Sequence, residues 1–183
     1  MKKSMDRRTK YTLKMIRIAM FELLERKSID SITVTDICRE ADINRGTFYK
    51  YYRDVRDLFD QIEQKFTEDL RPLFHDTENQ DLEKVVRQSL TIISENQDLV
   101  RFVQKGDTTS RLVKNILSFI KPYSIETIQK SQKEISQNEL EYLLEYTLGG
   151  ITNMIVKWID EDMAMPIDKL QSMIMNLTNN TLH

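Results

Sequence analysis

Apolar residues recur along most of the chain every three or four positions, the period of an amphipathic helix. No segment keeps the strict alternation of a half-buried strand. Leu13, Ile16, Met20, Leu23 and Leu24 form the first stripe and predict a helix over about 10–27, broken at Asp30-Ser31. Thr33 opens a second helix, because Thr33-Val-Thr-Asp36 has the layout of a capping box with Asp36 in place of the usual Glu. That helix ends near Ala41. Asp42-Ile43-Asn44 then predicts a turn, since Asp and Asn tolerate left-handed backbone better than other side chains. Asn44 suits the cap of a third helix over about 45–51, and Asp54 the cap of a fourth. The fourth carries Leu58, Phe59, Ile62, Phe66, Leu70 and Leu73 on one face and is ended or bent by Pro72.

The same period continues to the C-terminus. Leu82, Val85, Val86, Leu90 and Ile93 make one stripe, and a short helix over about 97–105 follows, stopped by Gly106-Asp107. Thr108 or Thr109 is placed to cap the next helix, which carries Leu112, Ile116, Phe119 and Ile120 and should kink at Pro122. A long helix over 137–160 presents Leu140, Leu143, Leu144, Leu148, Ile151, Ile155 and Trp158. Pro166 suits a helix start, and Ile167, Leu170, Ile174 and Leu177 form the last stripe. The pattern is all-α. It divides into an N-terminal helix-turn-helix domain over 1–53, with a loose basic arm over 1–9, and a C-terminal helical domain over 54–183.

Composition narrows the classes further. Only 4 glycines and 3 prolines in 183 residues disfavour folds that need many tight turns. The formal net charge is −2, but residues 1–53 hold 13 basic and 7 acidic side chains, while 54–183 hold 14 basic and 22 acidic. This split points to a polyanion as partner of the N-terminal part; a solvated charged face is the plainer alternative. The single cysteine, Cys38, rules out an intrachain disulfide, fits a reducing compartment and suits a small apolar packing role. Lys14, Arg17 and Glu22 interrupt any apolar stretch behind Lys2 and Lys3, and no run approaches the ~18 apolar residues of a membrane span. A cytoplasmic protein without membrane contact is expected. His75 and His183 are the only histidines, and no metal-ligand spacing, phosphate-binding glycine loop or nucleophile elbow is present. No catalytic residue, metal or cofactor is therefore expected.

Helix, three-residue turn, helix is the pattern that places a second helix in the major groove of DNA. In "RGTFYKYY" the residue types suit that task. Arg45 supplies donors for base edges or phosphates, and Gly46 lets backbone approach DNA at a cost to the helix. Thr47 offers a hydroxyl and a methyl to bases. Tyr49 and Tyr51 can donate to phosphates, and Lys50 adds charge. Phe48 and Tyr52 belong in the core, Phe48 against Ile37 and Val34. The candidate DNA-contacting set is Thr33, Thr35, Asn44, Arg45, Gly46, Thr47, Tyr49, Lys50, Tyr51 and Arg53.

Gly149-Gly150 falls in mid-helix, where each glycine costs about 1 kcal/mol. A helix retains such residues where another backbone comes close, which points to a two-fold interface built from Leu148, Gly149, Ile155, Leu170, Ile174 and Leu177. An intramolecular close approach is the alternative. Phe102, Phe119, Tyr123, Tyr146, Met154 and Trp158 have the mixed aromatic and methionine character of an apolar ligand site; plain core is the alternative for most of them.

The segment "TVTDICREADINRGTFYKYYRDVRDLF" resembles the DNA-binding domain of TetR-family (tetracycline-repressor-like) transcriptional regulators, from about Ile16 to Phe59. Thr33, Ile37, Ala41, Ile43, Gly46, Thr47, Tyr49 and Leu58 stand at the family's positions. "EYTLGGITNMIVKWIDEDM" looks like the eighth helix and following turn of a common subgroup, whereas residues 75–135 carry no signature. The chain departs from the pattern at Ser28 and Asp42, where Gly is frequent, and at Tyr51, where His is frequent. It departs again at Val55, where a phosphate-contacting Lys usually opens the fourth helix; Arg53 or Arg56 is the expected substitute. The resemblance implies an all-helical bacterial homodimer on double-stranded DNA with a palindromic operator. It also implies repression relieved when a small-molecule effector binds the C-terminal core and tilts the fourth helix. A co-activator acting through a protein partner, or a DNA-binding activator, are the alternatives.

Overall fold

The computed structural model of the chain describes residues 7–75, 81–105, 111–131 and 134–182, all of it helix, turn or coil. Two compact units emerge, 1–65 and 66–183, with the division inside the fourth helix.

In the first unit, α1 spans Arg7–Leu24, earlier at both ends than the sequence pattern indicates. Arg7 and Arg8, expected in a loose arm, are helical; Lys2 and Lys3 lie outside the described residues. The helix stops short of residue 27 because the Leu23 carbonyl is taken by the Arg26 and Lys27 amides, at 3.0 and 2.9 Å, in a closing turn. A single 3-10 turn at Ile29–Ser31 leads to α2, Val34–Glu40. The expected capping box is present. The Asp36 amide donates to the Thr33 hydroxyl at 3.1 Å, and the Asp36 carboxylate accepts from the Thr33 amide at 3.1 Å and the Thr33 hydroxyl at 2.9 Å. Asp42 takes the left-handed conformation, φ 52°, in the turn.

α3 is only Arg45–Tyr49. Asn44 caps it, its side-chain oxygen accepting from the Thr47 amide at 2.8 Å. Tyr51, expected inside this helix, lies beyond its end. Asp54 caps α4, Val55–Leu70, through the Asp57 amide at 2.8 Å. Ile16, Met20, Ile37, Phe48 and Leu58 are fully buried, each contributing about 1.5–3 kcal/mol of hydrophobic stabilisation. Tyr52 is buried beside Phe48, ring centroids 5.6 Å apart, whereas Val34 is only half-buried. Cys38 is buried as a small apolar residue, and burial pushes its thiol pKa up.

Past the end of α4, Pro72 sits in a 3-10 turn, Arg71–Phe74. The second unit contains α5 (Leu82–Glu95), α6 (Gln97–Lys105), α7 (Arg111–Ser131), α8 (Gln137–Asp160) and α9 (Ile167–Leu182). Gly106-Asp107 and the Thr108 or Thr109 cap fall outside the described residues. α7 runs through Pro122, where a kink was expected, and remains helical on both sides. Phe74 lies against Phe119 and Tyr123 of α7, centroids 5.6 and 5.4 Å away. One core cluster joins Leu90, Trp158, Ile159, Leu170 and Ile174, drawing in Val100 of α6; a second joins Ile128, Leu140 and Leu144. Leu170 and Ile174, expected at an interface between copies, are instead buried in this unit's own core. The turn after α8 is held by Trp158 Nε1 donating to the Met165 carbonyl at 2.7 Å. Arg101 adds bonds to the Ile159 carbonyl and Asp162, at 2.8 and 2.7 Å.

The capping box carries a pH signature. Chiefly through the Thr33 amide, the Asp36 carboxyl is lowered from 3.8 to about 2. A depressed carboxyl contributes stability that is present above its unfolded value and disappears as pH falls through its folded value. The thermal stability advantage of the wild type over Asp36→Asn should therefore shrink between about pH 4 and pH 2, measured by circular dichroism melts, the window set by those two values. Thr33→Ala should cost about 1 kcal/mol at neutral pH in the same measurement.

Candidate nucleic-acid interface

The turn between α2 and α3 fixes the candidate residues from both sides. Arg45 opens α3 and donates from Nη2 to the Thr35 hydroxyl of α2 at 2.7 Å. This bond holds the exposed guanidinium in place and leaves its other donors open. Thr33 and Asn44 act first as caps. The Thr47 hydroxyl also donates to the Asn44 side-chain oxygen at 3.0 Å, so its proton is already committed and Thr47 offers outward its methyl and its lone pairs.

Gly46 is exposed, and a Cβ built on it would meet only the Asn44 side-chain oxygen at 3.4 Å, an ordinary contact. Nothing among the described residues requires glycine there. Tyr49 is 56% exposed, its ring edge-on to buried Phe48 at 5.7 Å, so packing sets the ring and leaves the hydroxyl outside. Lys50 is exposed and lies 5.4 Å over the half-buried Tyr51 ring.

The opening of α4 differs from expectation. Val55 is buried, and neither arginine expected to supply the missing charge stands alone. Arg53 pairs with Asp57 at 3.2 Å, and Arg56 pairs with Asp30 at 2.6 Å. The Asp57 carboxyl is held below its usual range, first by the Arg53 amide. Exposed pairs of this kind are weak and exchange readily. Asp30 marks only a helix break in the sequence pattern, and Asp57 does not stand out in it. The local spacing of Arg53 and Asp57 carries a signal for their pairing, whereas nothing local signals the pairing of Arg56 with a residue 26 positions away.

In the second unit the remaining candidates scatter. Phe119 and Tyr123 are buried with Phe74, Trp158 and Met154 belong to the α5–α9 cluster, and Phe102 is half-buried on α6. Tyr146 is 68% exposed. A cavity of about 370 Å³ is lined by Arg101, Gln104, Val156 and Asp160, none of them among the ligand candidates. Leu148 packs against the second cluster and Ile155 against the first, while Leu177 is exposed. Around Gly149 and Gly150 a built Cβ meets nothing within 4 Å, so the intramolecular explanation for these glycines is excluded among the described residues. Tyr142, Tyr146, Gly149 and Gly150 fall on one face of α8, and Met173 joins Leu177 as an exposed apolar residue of α9. No described helix is long and apolar enough to cross a membrane, and no described group of His, Cys, Asp and Glu is arranged to hold a metal ion.

Comparison with known proteins agrees with this architecture. A family profile described as bacterial regulatory proteins of the tetR family matches residues 18–62, and a TetR profile described as the transcriptional regulator C-terminal region matches 80–180. No curated protein matches the sequence. Among solved structures, the dihydroxyacetone kinase operon activator DhaS is 23% identical, with 93% of this chain and 96% of that chain covered and a TM-score of 0.60. The transcriptional regulator FadR from Bacillus subtilis, in complex with stearoyl-CoA, is 16% identical over 93% of this chain and 99% of that one, TM-score 0.61. A TetR transcriptional regulator from Streptococcus agalactiae is 19% identical over 94% and 96%, TM-score 0.57. At these identities the structures speak for the fold. The two profiles together cover both units, and the chain belongs to the TetR family of bacterial transcriptional regulators.

Proposed function

We propose that the chain is a cytoplasmic homodimeric repressor that reads a palindromic operator through α3 and leaves it when a small-molecule effector occupies the second unit. The observation that carries the DNA-reading part is Gly46. It sits in the first turn of a helix, where glycine is unfavourable, with no internal neighbour that excludes a side chain. Close approach of DNA accounts for it, flanked by Arg45, Tyr49 and Lys50. In the same way, an approaching second copy accounts for Gly149 and Gly150, with Tyr142, Tyr146 and Leu177 as the apolar surface it covers. A two-fold dimer reads half-sites spaced by whole turns of the duplex. The repressive sign and the effector follow the family's usual logic. An effector acts only through a difference in affinity between the DNA-binding and released states.

The name of DhaS as an operon activator supports a second reading, in which this chain activates, and the exposed tyrosines of α8 then suit a protein partner. Reporter transcription from the operator with and without the gene separates the two signs.

On an operator recovered from genomic DNA, Gly46→Ala should leave the melting temperature unchanged or raised while weakening binding at least ~10-fold, the factor that about 1.4 kcal/mol sets; unchanged binding removes the argument from Gly46. Arg45→Ala should cost about 1–3 kcal/mol of specific binding if the guanidinium reads a base edge. Tyr49→Phe should weaken all duplexes alike, because a phosphate contact carries no sequence information. Gly149→Glu should yield folded monomers by light scattering with unchanged helical content, and a persistent dimer refutes the interface.

A further inference from the structure

Two groups of cations stand out in the first unit. Arg26, Lys27, Arg39, Arg53 and Arg56 are each paired with a carboxylate, at 3.0, 3.3, 3.0, 3.2 and 2.6 Å. Arg7, Arg8, Lys10 and Lys14 have exposed side chains without an ion-pair or hydrogen-bond partner among the described residues. All four lie in the first turns of α1, and from Arg7 to Phe21 that helix has no acidic residue. Arg7, Lys10 and Lys14, three and four positions apart, share one helix face with Tyr11, which is 65% exposed; Arg8 flanks them.

The same turns contribute no fully buried residue, although Leu13 and Met15 are half-buried. The first buried residue of α1 is Ile16, so about 13 Å of helix precedes it at 1.5 Å per residue. Four like charges along these turns, with no fully buried residue among them, weaken the start of the helix. This arrangement is unfavourable for the free protein and favourable against a polyanion. A membrane surface suits it less, because an interfacial helix needs a broad apolar face and the apolar residues of α1 are used in the unit's core.

We propose that the first turns of α1 form a second DNA contact, with Arg7, Arg8, Lys10 and Lys14 on backbone phosphates outside the groove occupied by α3. The inference rests on the DNA-reading function proposed above. It adds a sequence-independent term to affinity, because phosphate contacts position a protein without reading bases. Each phosphate neutralised steepens the fall of log K with log salt by about 0.9.

The full-length protein, a duplex of about 30 base pairs and arbitrary sequence, and a salt series test it. Replacing all four with Gln (R7Q/R8Q/K10Q/K14Q) should flatten the salt slope by about 0.9 for each phosphate that is no longer neutralised, while leaving the melting temperature unchanged or raised, since the like-charge repulsion is relieved. The charge-preserving set R7K/R8K/K10R/K14R should keep the wild-type slope. An unchanged slope in the Gln variant overturns the inference. If R45A/K50Q weakens the same duplex, the DNA-reading function stands without the α1 contact. A wild type that ignores duplex DNA but sediments with phosphatidylcholine vesicles containing phosphatidylglycerol overturns both.

Discussion

Burial of Phe48 is the constraint on which the proposed DNA-reading surface depends. α3 has five residues, far below the length at which a helix is stable alone. It persists because Asn44 closes its first turn and Phe48 is driven fully into the unit's core beside Tyr52. With Phe48 inside, helical geometry leaves Arg45, Gly46, Tyr49 and Lys50 outside on the exposed side of the same short element. Removing that ring would cost about 3–5 kcal/mol, a large share of a small domain's stability, and would release the exposed face of α3 with it.

Charge is arranged around this element to the same end. Asp30, Asp36, Glu40 and Asp57 hold four arginines and Lys27 on the flanks of the first unit, leaving cations without a carboxylate partner on α1 and α3 among the described residues. These are weak surface pairs, and their effect is to localise charge more than to stabilise the fold. Three of the four glycines, Gly46, Gly149 and Gly150, lie where the packing of the described residues has room for a side chain. Each is a local cost without an internal reason, and both stretches lie on faces the proposed function brings against another molecule.

Much of the fold is legible in the sequence because helix ends depend on neighbours. The Thr33–Asp36 box, the Asn44 cap and the left-handed Asp42 follow from spacing, and the helices over 97–105 and 137–160 have the expected limits. The start of α1 escapes the pattern because Arg7 and Arg8 carry no apolar signal, although they lie within helical reach of the stripe that follows. Periodicity identifies an apolar face without saying which partner covers it. Leu170 and Ile174 thus read as interface residues although they close the unit's own core, and Tyr146 reads as a ligand contact although it is exposed. The pairing of Arg56 with Asp30 depends on tertiary placement that no local pattern records.

In the proposed function α3 reads DNA sequence as part of a two-fold assembly. Selection of genomic fragments by the purified full-length protein, followed by sequencing of what is retained, tests this most directly. A two-fold reader enriches a symmetric motif whose half-sites lie whole helical turns apart, about 10 base pairs or a multiple of it. Retained fragments with no shared motif beyond the input would contradict the proposed function.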